Sequence, residues 1–238
     1  MSKEVFHFKQ FTIQQDRCAM KVGIDAVLLG AWSPITPDCK HILDIGTGTG
    51  VIALLAAERA NTAQITGIEI NAEAAAQAKE NAQASPFNGR IEIIAGPVQD
   101  FATSNNDLYD LIITNPPFFS GGVLSDHLDR QTARHTVKLS HQDLLRSVQQ
   151  LLSPKGTFCC ILPKLEGLRF IELAASVQLY PQQVLRVRPR AEKPVHRLLL
   201  AFSRMKREPE ESEIIQYGEE EKWTEDFTDL VGGFYPEK

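Results

Sequence analysis

Leu43 to Gly50 (LDIGTGTG) carries a short apolar run directly into three glycines at alternate positions, and Val51 to Ala60 follows as an alanine-rich, helix-forming stretch. A strand, a glycine-rich turn and a helix in that order open a βαβ unit, which commits the chain to an α/β architecture. Glycines there let the backbone approach a ligand closely and adopt dihedrals that other residues avoid. The spacing is Gly-x-Gly-x-Gly, whereas a dinucleotide fingerprint places its third glycine one residue later, so a pyrophosphate cradle is disfavoured though not excluded by spacing alone. A second apolar strand, Ile65 to Ile70, carries Glu69, where a carboxylate can accept both hydroxyls of a nucleoside ribose. Taken singly, the glycines could be a tight turn and Glu69 a strand-end charge.

Further apolar runs at 41–44, 64–70, 91–95, 109–114 and 156–162 alternate with helical stretches, which predicts a doubly wound, mainly parallel sheet. Asn71 is placed to cap a helix over 72–83, and Ser140 with Asp143 to cap one over 142–152. Residues 182–188 and 195–202 read as a hairpin with no intervening helix.

The most chemically specific segment is Asn115, Pro116, Pro117, Phe118, directly after Leu111, Ile112 and Ile113. A buried strand ending there puts Asn115 at the carboxyl edge of the sheet, where open α/β folds bind ligands. The prolines donate no N–H, so their carbonyls and the Asn115 side-chain oxygen remain as acceptors. With Phe118 as a flat face, two acceptors suit an exocyclic NH2 group attached to a planar π-system. A proline-rich turn is the alternative if the tetrapeptide is taken alone.

Jointly, the glycine loop, Glu69 and the tetrapeptide resemble the class I S-adenosylmethionine-dependent methyltransferases. The segments 8–11 (FKQF), 15–23 (QDRCAMKVG), 25–32 (DAVLLGAW) and 196–202 (HRLLLAF) resemble one family among them, the bacterial tRNA (adenine-N6)-methyltransferases acting on the adenosine at position 37, beside the anticodon of valine tRNA. The resemblance covers residues 6 to about 203. It implies a Rossmann-like, seven-stranded sheet with an antiparallel last strand, S-adenosylmethionine as cofactor and tRNA as partner. It also implies Asn115, Pro116, Pro117 and Phe118 as the catalytic set. Asp44, Gly46, Gly48, Thr49, Gly50, Glu69, Ile70 and Val98 are the implied cofactor contacts. One departure stands out: Pro97 sits where these enzymes commonly place an Asp for the cofactor adenine, which leaves that role to the backbone of Val98 or to Asp100.

The net charge of −5 is unevenly placed, since residues 206–238 hold eleven acids against four bases. Residues 186–207 hold eight bases and only Glu192 as an acid. Arg188, Arg190 and Arg197 there, Arg130 and Arg134 after the tetrapeptide, and Arg17 with Lys21 near the start are the candidate RNA contacts. A solvated hairpin face explains the 186–207 cluster equally well.

With 238 residues and 43% hydrophobic content, one domain is expected. Within it, residues 1–40 would form a cover over the cofactor, 41–205 the catalytic core and 206–238 an acidic segment. No apolar run approaches a membrane span and the start lacks a secretory hydrophobic region, so a cytoplasmic protein is expected, without membrane association and as a monomer. Cys18, Cys39, Cys159 and Cys160 lack paired ligand spacing, so core packing is expected and no metal. Competing readings are a protein glutamine N5-methyltransferase, which usually carries a longer amino-terminal domain, a DNA adenine methyltransferase, and a catalytically silent RNA-binding protein on the same scaffold.

Overall fold

The structure is a computed structural model that describes residues 4–117 and 139–236. Phe118, Arg130 and Arg134 lie outside the described residues. Parallel strands β3 (His41–Ile45), β4 (Gln64–Glu69), β5 (Ile91–Ala95), β6 (Tyr109–Thr114) and β7 (Leu152–Pro163) form most of one sheet. Strands β8 (Tyr180–Arg188), β9 (Arg197–Ser203) and β10 (Glu210–Ile215) complete it in the order β10-β8-β9-β7-β6-β3-β4-β5. β9 is antiparallel to both of its neighbours, as expected of the hairpin. The seven-stranded expectation gains an eighth strand: β10, from the acidic segment, adds parallel to β8 at the sheet edge.

Alternation along each central strand divides the core. Ile42, Leu111, Ile113, Cys159, Ile161, Leu199 and Ala201 pack on one side with α1 (Ile24–Trp32), α2 (Val51–Arg59) and α7 (Glu225–Val231). Leu43, Ile112, Phe158, Cys160, Leu162 and Leu200 pack on the other with α4 (Val98–Ser104), α5 (His141–Leu151) and α6 (Lys164–Ala175). This two-sided burial is why the strands read as continuous apolar runs. It also accounts for Cys159 and Cys160, adjacent in sequence and buried on opposite faces. Gly30 lets α1 lie against α2, since a Cβ there would stand 2.9 Å from Leu55 Cδ1.

Both expected caps are present. Asn71 Oδ1 accepts from the backbone N–H groups of Glu73 and Ala74 at the start of α3 (Ala72–Gln83), and Ser140 Oγ accepts from Asp143 N at the start of α5. The amino-terminal hairpin β1 (Val5–His7) and β2 (Thr12–Gln14) is fastened to α3 by Asn81, whose side chain accepts from Gln14 N and donates to Gln14 O and Thr49 O. One buried amide thus joins the hairpin, α3 and the glycine loop.

Candidate functional site

The strand order reverses between β3 and β6, and the glycine loop and Asn115 both leave the sheet at that switch point, on its carboxyl edge. Gly46, Gly48 and Gly50 have φ of +71°, +55° and +84°, values that explain glycine at each position. The loop is pinned to β4 because Gly46 N and Thr47 N both donate to Ile68 O, at 2.8 and 3.0 Å. Glu69 is held in turn: Gly48 N donates to Oε2 and Asn71 N to Oε1, each at 2.9 Å. Those two bonds fix the carboxylate and leave further lone pairs as acceptors.

Asp44 stands behind the loop, 1% exposed and off the cavity wall. Its Oδ2 accepts from Thr47 Oγ1 at 2.5 Å and from Ala53 N at 3.2 Å, while Oδ1 is buried with no partner among the described residues. Burial pushes the carboxyl up from 3.8 to about 7, against the lowering effect of those two hydrogen bonds. A raised folded value means the native state holds the extra proton between these limits, so this position makes the fold less stable as pH rises from 3.8 towards about 7. Asp44→Asn keeps an acceptor without a buried charge. Thermal melts should show the variant gaining on the parent protein as pH rises from about 4 to about 7, with a constant difference above that window. A pH-independent difference between the two would refute the assignment.

A cavity of about 400 Å³ opens at this edge. Its wall combines Met20, Lys21 and Gly23 to Ala26 of the amino-terminal segment, Gly46 to Thr49 of the loop, Asn115 to Pro117, and His196 with Arg197, the first residue of β9. Of the amino-terminal segment, six residues between 20 and 26 line the cavity. Thr114 Oγ1 donates to Ile45 O at 2.7 Å, fixing the end of β6 against β3 just before Asn115. Asn115 Oδ1 is buried and has no hydrogen-bond partner among the described residues. A buried carbonyl oxygen without a partner costs free energy, so a donor arriving there would be stabilising.

A smaller recess of about 50 Å³ shares Gly46 with this cavity and is lined also by Ile70, Gly96, Pro97, Val98 and Gln99. Pro97 is the N-cap residue of α4 and Gly96 has φ +149°. Asp100 belongs to the first turn of α4 but does not line the recess, whereas Val98 does.

The candidate RNA contacts are dispersed. Lys21 and Arg197 line the cavity; Arg197 Nε donates to Asp25 Oδ2 at 2.8 Å, joining β9 to the first turn of α1. Arg17 is paired with Glu80 on α3. Arg188 Nε lies 2.8 Å from Glu213, Arg190 Nη2 2.7 Å from Glu221, and Arg186 is paired with Glu211. The basic hairpin is thus faced by the acidic segment. Asp25, His196 and Thr47 are site residues that local reading missed. Asp25 and His196 belong to segments already singled out, but only the fold brings them together. Among the described residues no group of three His, Cys, Asp or Glu side chains could hold a metal ion, and no helix is long and apolar enough to cross a membrane.

Residues 37–225 match a family model described as a methyltransferase domain. A tRNA1(Val) (adenine(37)-N6)-methyltransferase of Pectobacterium carotovorum is 43% identical over 236 residues, covering 99% of this chain and 95% of that relative. A protein of the same name from Bacteroides fragilis is 40% identical, covering 99% of both. The crystal structure of a predicted O-methyltransferase from Agrobacterium tumefaciens superposes with a TM-score of 0.70 at 20% identity, over 90% of this chain and 98% of that one, a likeness of fold.

Proposed function

This chain belongs to the tRNA1(Val) (adenine(37)-N6)-methyltransferase family, and from that membership we propose that its cavity holds the target adenine of valine tRNA with the amino group against Asn115. The enzyme methylates the exocyclic N6 of a tRNA adenine. The observation that carries the assignment of the site is the buried, unpartnered Asn115 Oδ1, in the same cavity as the glycine loop.

The cofactor is S-adenosylmethionine in this reading, and the donor set fits it. Glu69 is fixed by two backbone N–H groups with lone pairs to spare for two ribose hydroxyls. The recess beside Ile70 and Val98 offers an apolar slot for the cofactor adenine, with the α4 backbone in the place of the missing acid. When bound, the cofactor supplies an electrophilic sulfonium methyl. Asn115 Oδ1 and the Pro116 carbonyl would hold the two amino hydrogens and aim the nitrogen lone pair. As nitrogen gained its bond to the methyl carbon, the carbon–sulfur bond would break to leave a neutral thioether, and nitrogen would be cationic until it lost a proton to water, so these acceptors stabilise the transition state more than the bound substrate. Fixing the approach in this way contributes on the order of 7 to 11 kcal/mol in well-oriented systems. Unstacking an anticodon-loop base costs less than opening a duplex.

Incubation with labelled S-adenosylmethionine and, in parallel, unmodified total tRNA, DNA and release factor, followed by nucleoside and peptide mass analysis, tests this reading. Label is expected as N6-methyladenosine in valine tRNA. Label in a glutamine side chain or in DNA adenine would replace it. Glu69→Ala should weaken cofactor binding by about 1.5 to 3 kcal/mol, the scale of hydrogen bonds to a charged acceptor. Unchanged affinity by calorimetry would remove the ribose role.

A further inference from the structure

We infer that His196 accepts a hydrogen bond from the ribose 2′-hydroxyl of the target nucleotide and so makes the cavity selective for RNA. The inference rests on the reading above, in which Asn115 holds the adenine amino group.

His196 Nδ1 lies 3.0 Å from Val187 O. A carbonyl oxygen can only accept, so Nδ1 carries the proton, and in the neutral ring Nε2 then carries a lone pair. Burial holds the imidazole below its usual range, with Arg197 acting in the same direction and the Val187 hydrogen bond and Asp25 opposing. The ring is therefore neutral at physiological pH. Among the described residues no hydrogen bond engages Nε2, and the residue lines the cavity. His196 N also donates to Val187 O at 2.9 Å, and the Arg197–Asp25 pair anchors the next residue, so the ring is held on a fixed piece of backbone.

Register decides what this acceptor can meet. Thr114 on β6 stands opposite Cys160 on β7, while Arg197 on β9 stands opposite Pro163, three residues nearer the open edge. Two strand spacings give roughly 10 Å sideways and three residues roughly 10 Å lengthwise, so the backbones of Thr114 and Arg197 are roughly 14 Å apart. With Asn115 and His196 on opposite sides of one cavity, that gap leaves room for a nucleoside whose base is turned to Asn115 and whose sugar is turned to His196. An adenine has no hydrogen-bond donor besides its amino group. Within an RNA chain the 3′ and 5′ oxygens are esterified, so the 2′-hydroxyl is the one other donor that the target nucleotide offers, and DNA lacks it.

The test uses the full-length protein and valine tRNA assembled with either adenosine or 2′-deoxy-2′-fluoroadenosine at the target position. The fluorine keeps the RNA sugar pucker but cannot donate. The parent protein should show kcat/KM lower by roughly five- to tenfold on the fluoro substrate, the scale of one neutral hydrogen bond. His196→Phe and His196→Ala should lose a similar factor on the natural tRNA and treat both substrates within about twofold, with cofactor affinity by calorimetry unchanged. Equal rates for the parent protein on the two tRNAs would overturn the inference without any variant. So would His196 variants that keep the discrimination. Absence of methylation on the natural tRNA would overturn the parent reading instead, which the first lane reveals separately.

Discussion

Replacing Asn115 by alanine is expected to lower turnover by a factor on the order of a hundred or more while leaving S-adenosylmethionine affinity unchanged. The asymmetry follows from the geometry. Asn115 Oδ1 has no partner among the described residues, so its removal breaks no contact that holds the fold together there. Thr114, which does fix the end of β6 through Ile45 O, is untouched. The cofactor contacts proposed for Glu69 and the glycine loop arise from β3 and β4, on the other side of the switch point. What is lost is an acceptor whose value grows as the amino nitrogen becomes cationic, so the loss appears in kcat as well as in kcat/KM. Single-turnover rates with saturating tRNA, beside calorimetry with the cofactor alone, separate the two effects. Near-parental turnover in Asn115→Ala would mean that the amino group is held elsewhere.

Much of this site was legible because its signals are local. The apolar strand runs, the caps at Asn71 and Ser140, the glycines with positive φ and the tetrapeptide each need only a few neighbouring residues to be recognised. What stayed hidden depends on contacts distant in sequence. Asp25 meets Arg197 across 172 residues, and β10 joins β8 through a register that no local pattern specifies. Asp44 illustrates a second limit. The loop motif marks it as important, but only burial shows that it serves Thr47 and Ala53 from behind the cavity wall. The charge asymmetry was visible in composition, whereas its meaning was not. Arginines at 186 and 188 and glutamates at 211 and 213 share a two-residue period, and only pairing of the two strands turns that period into ion pairs.

That pairing leads to the second large effect. Freeing the hairpin arginines by the combined substitutions Glu211→Gln, Glu213→Gln and Glu221→Gln should tighten tRNA binding and steepen its salt dependence. β8 runs parallel to β10, and Val187 stands opposite Arg197, so Arg188 and Arg190 leave the sheet at the same edge as the cavity. Each arginine released to a phosphate adds about 0.7 to 0.9 to the log–log slope, so all three together would add about 2 to 3. The fold should tolerate the change, because partly exposed ion pairs of this kind contribute about 0 to 1 kcal/mol each. Deleting the whole segment would not test the point. Phe227 and Val231 are fully buried in the core, and truncating one such aromatic alone costs about 3 to 5 kcal/mol. Glutamine at the three positions removes charge while keeping the β10 backbone and the α7 packing in place. The double substitution Arg188→Gln with Arg190→Gln supplies the opposite arm, with weaker binding and a shallower slope. If filter binding across a salt series gives the same slope for the parent and both variants, the hairpin is a solvated face. The tRNA would then approach across the amino-terminal wall that carries Lys21.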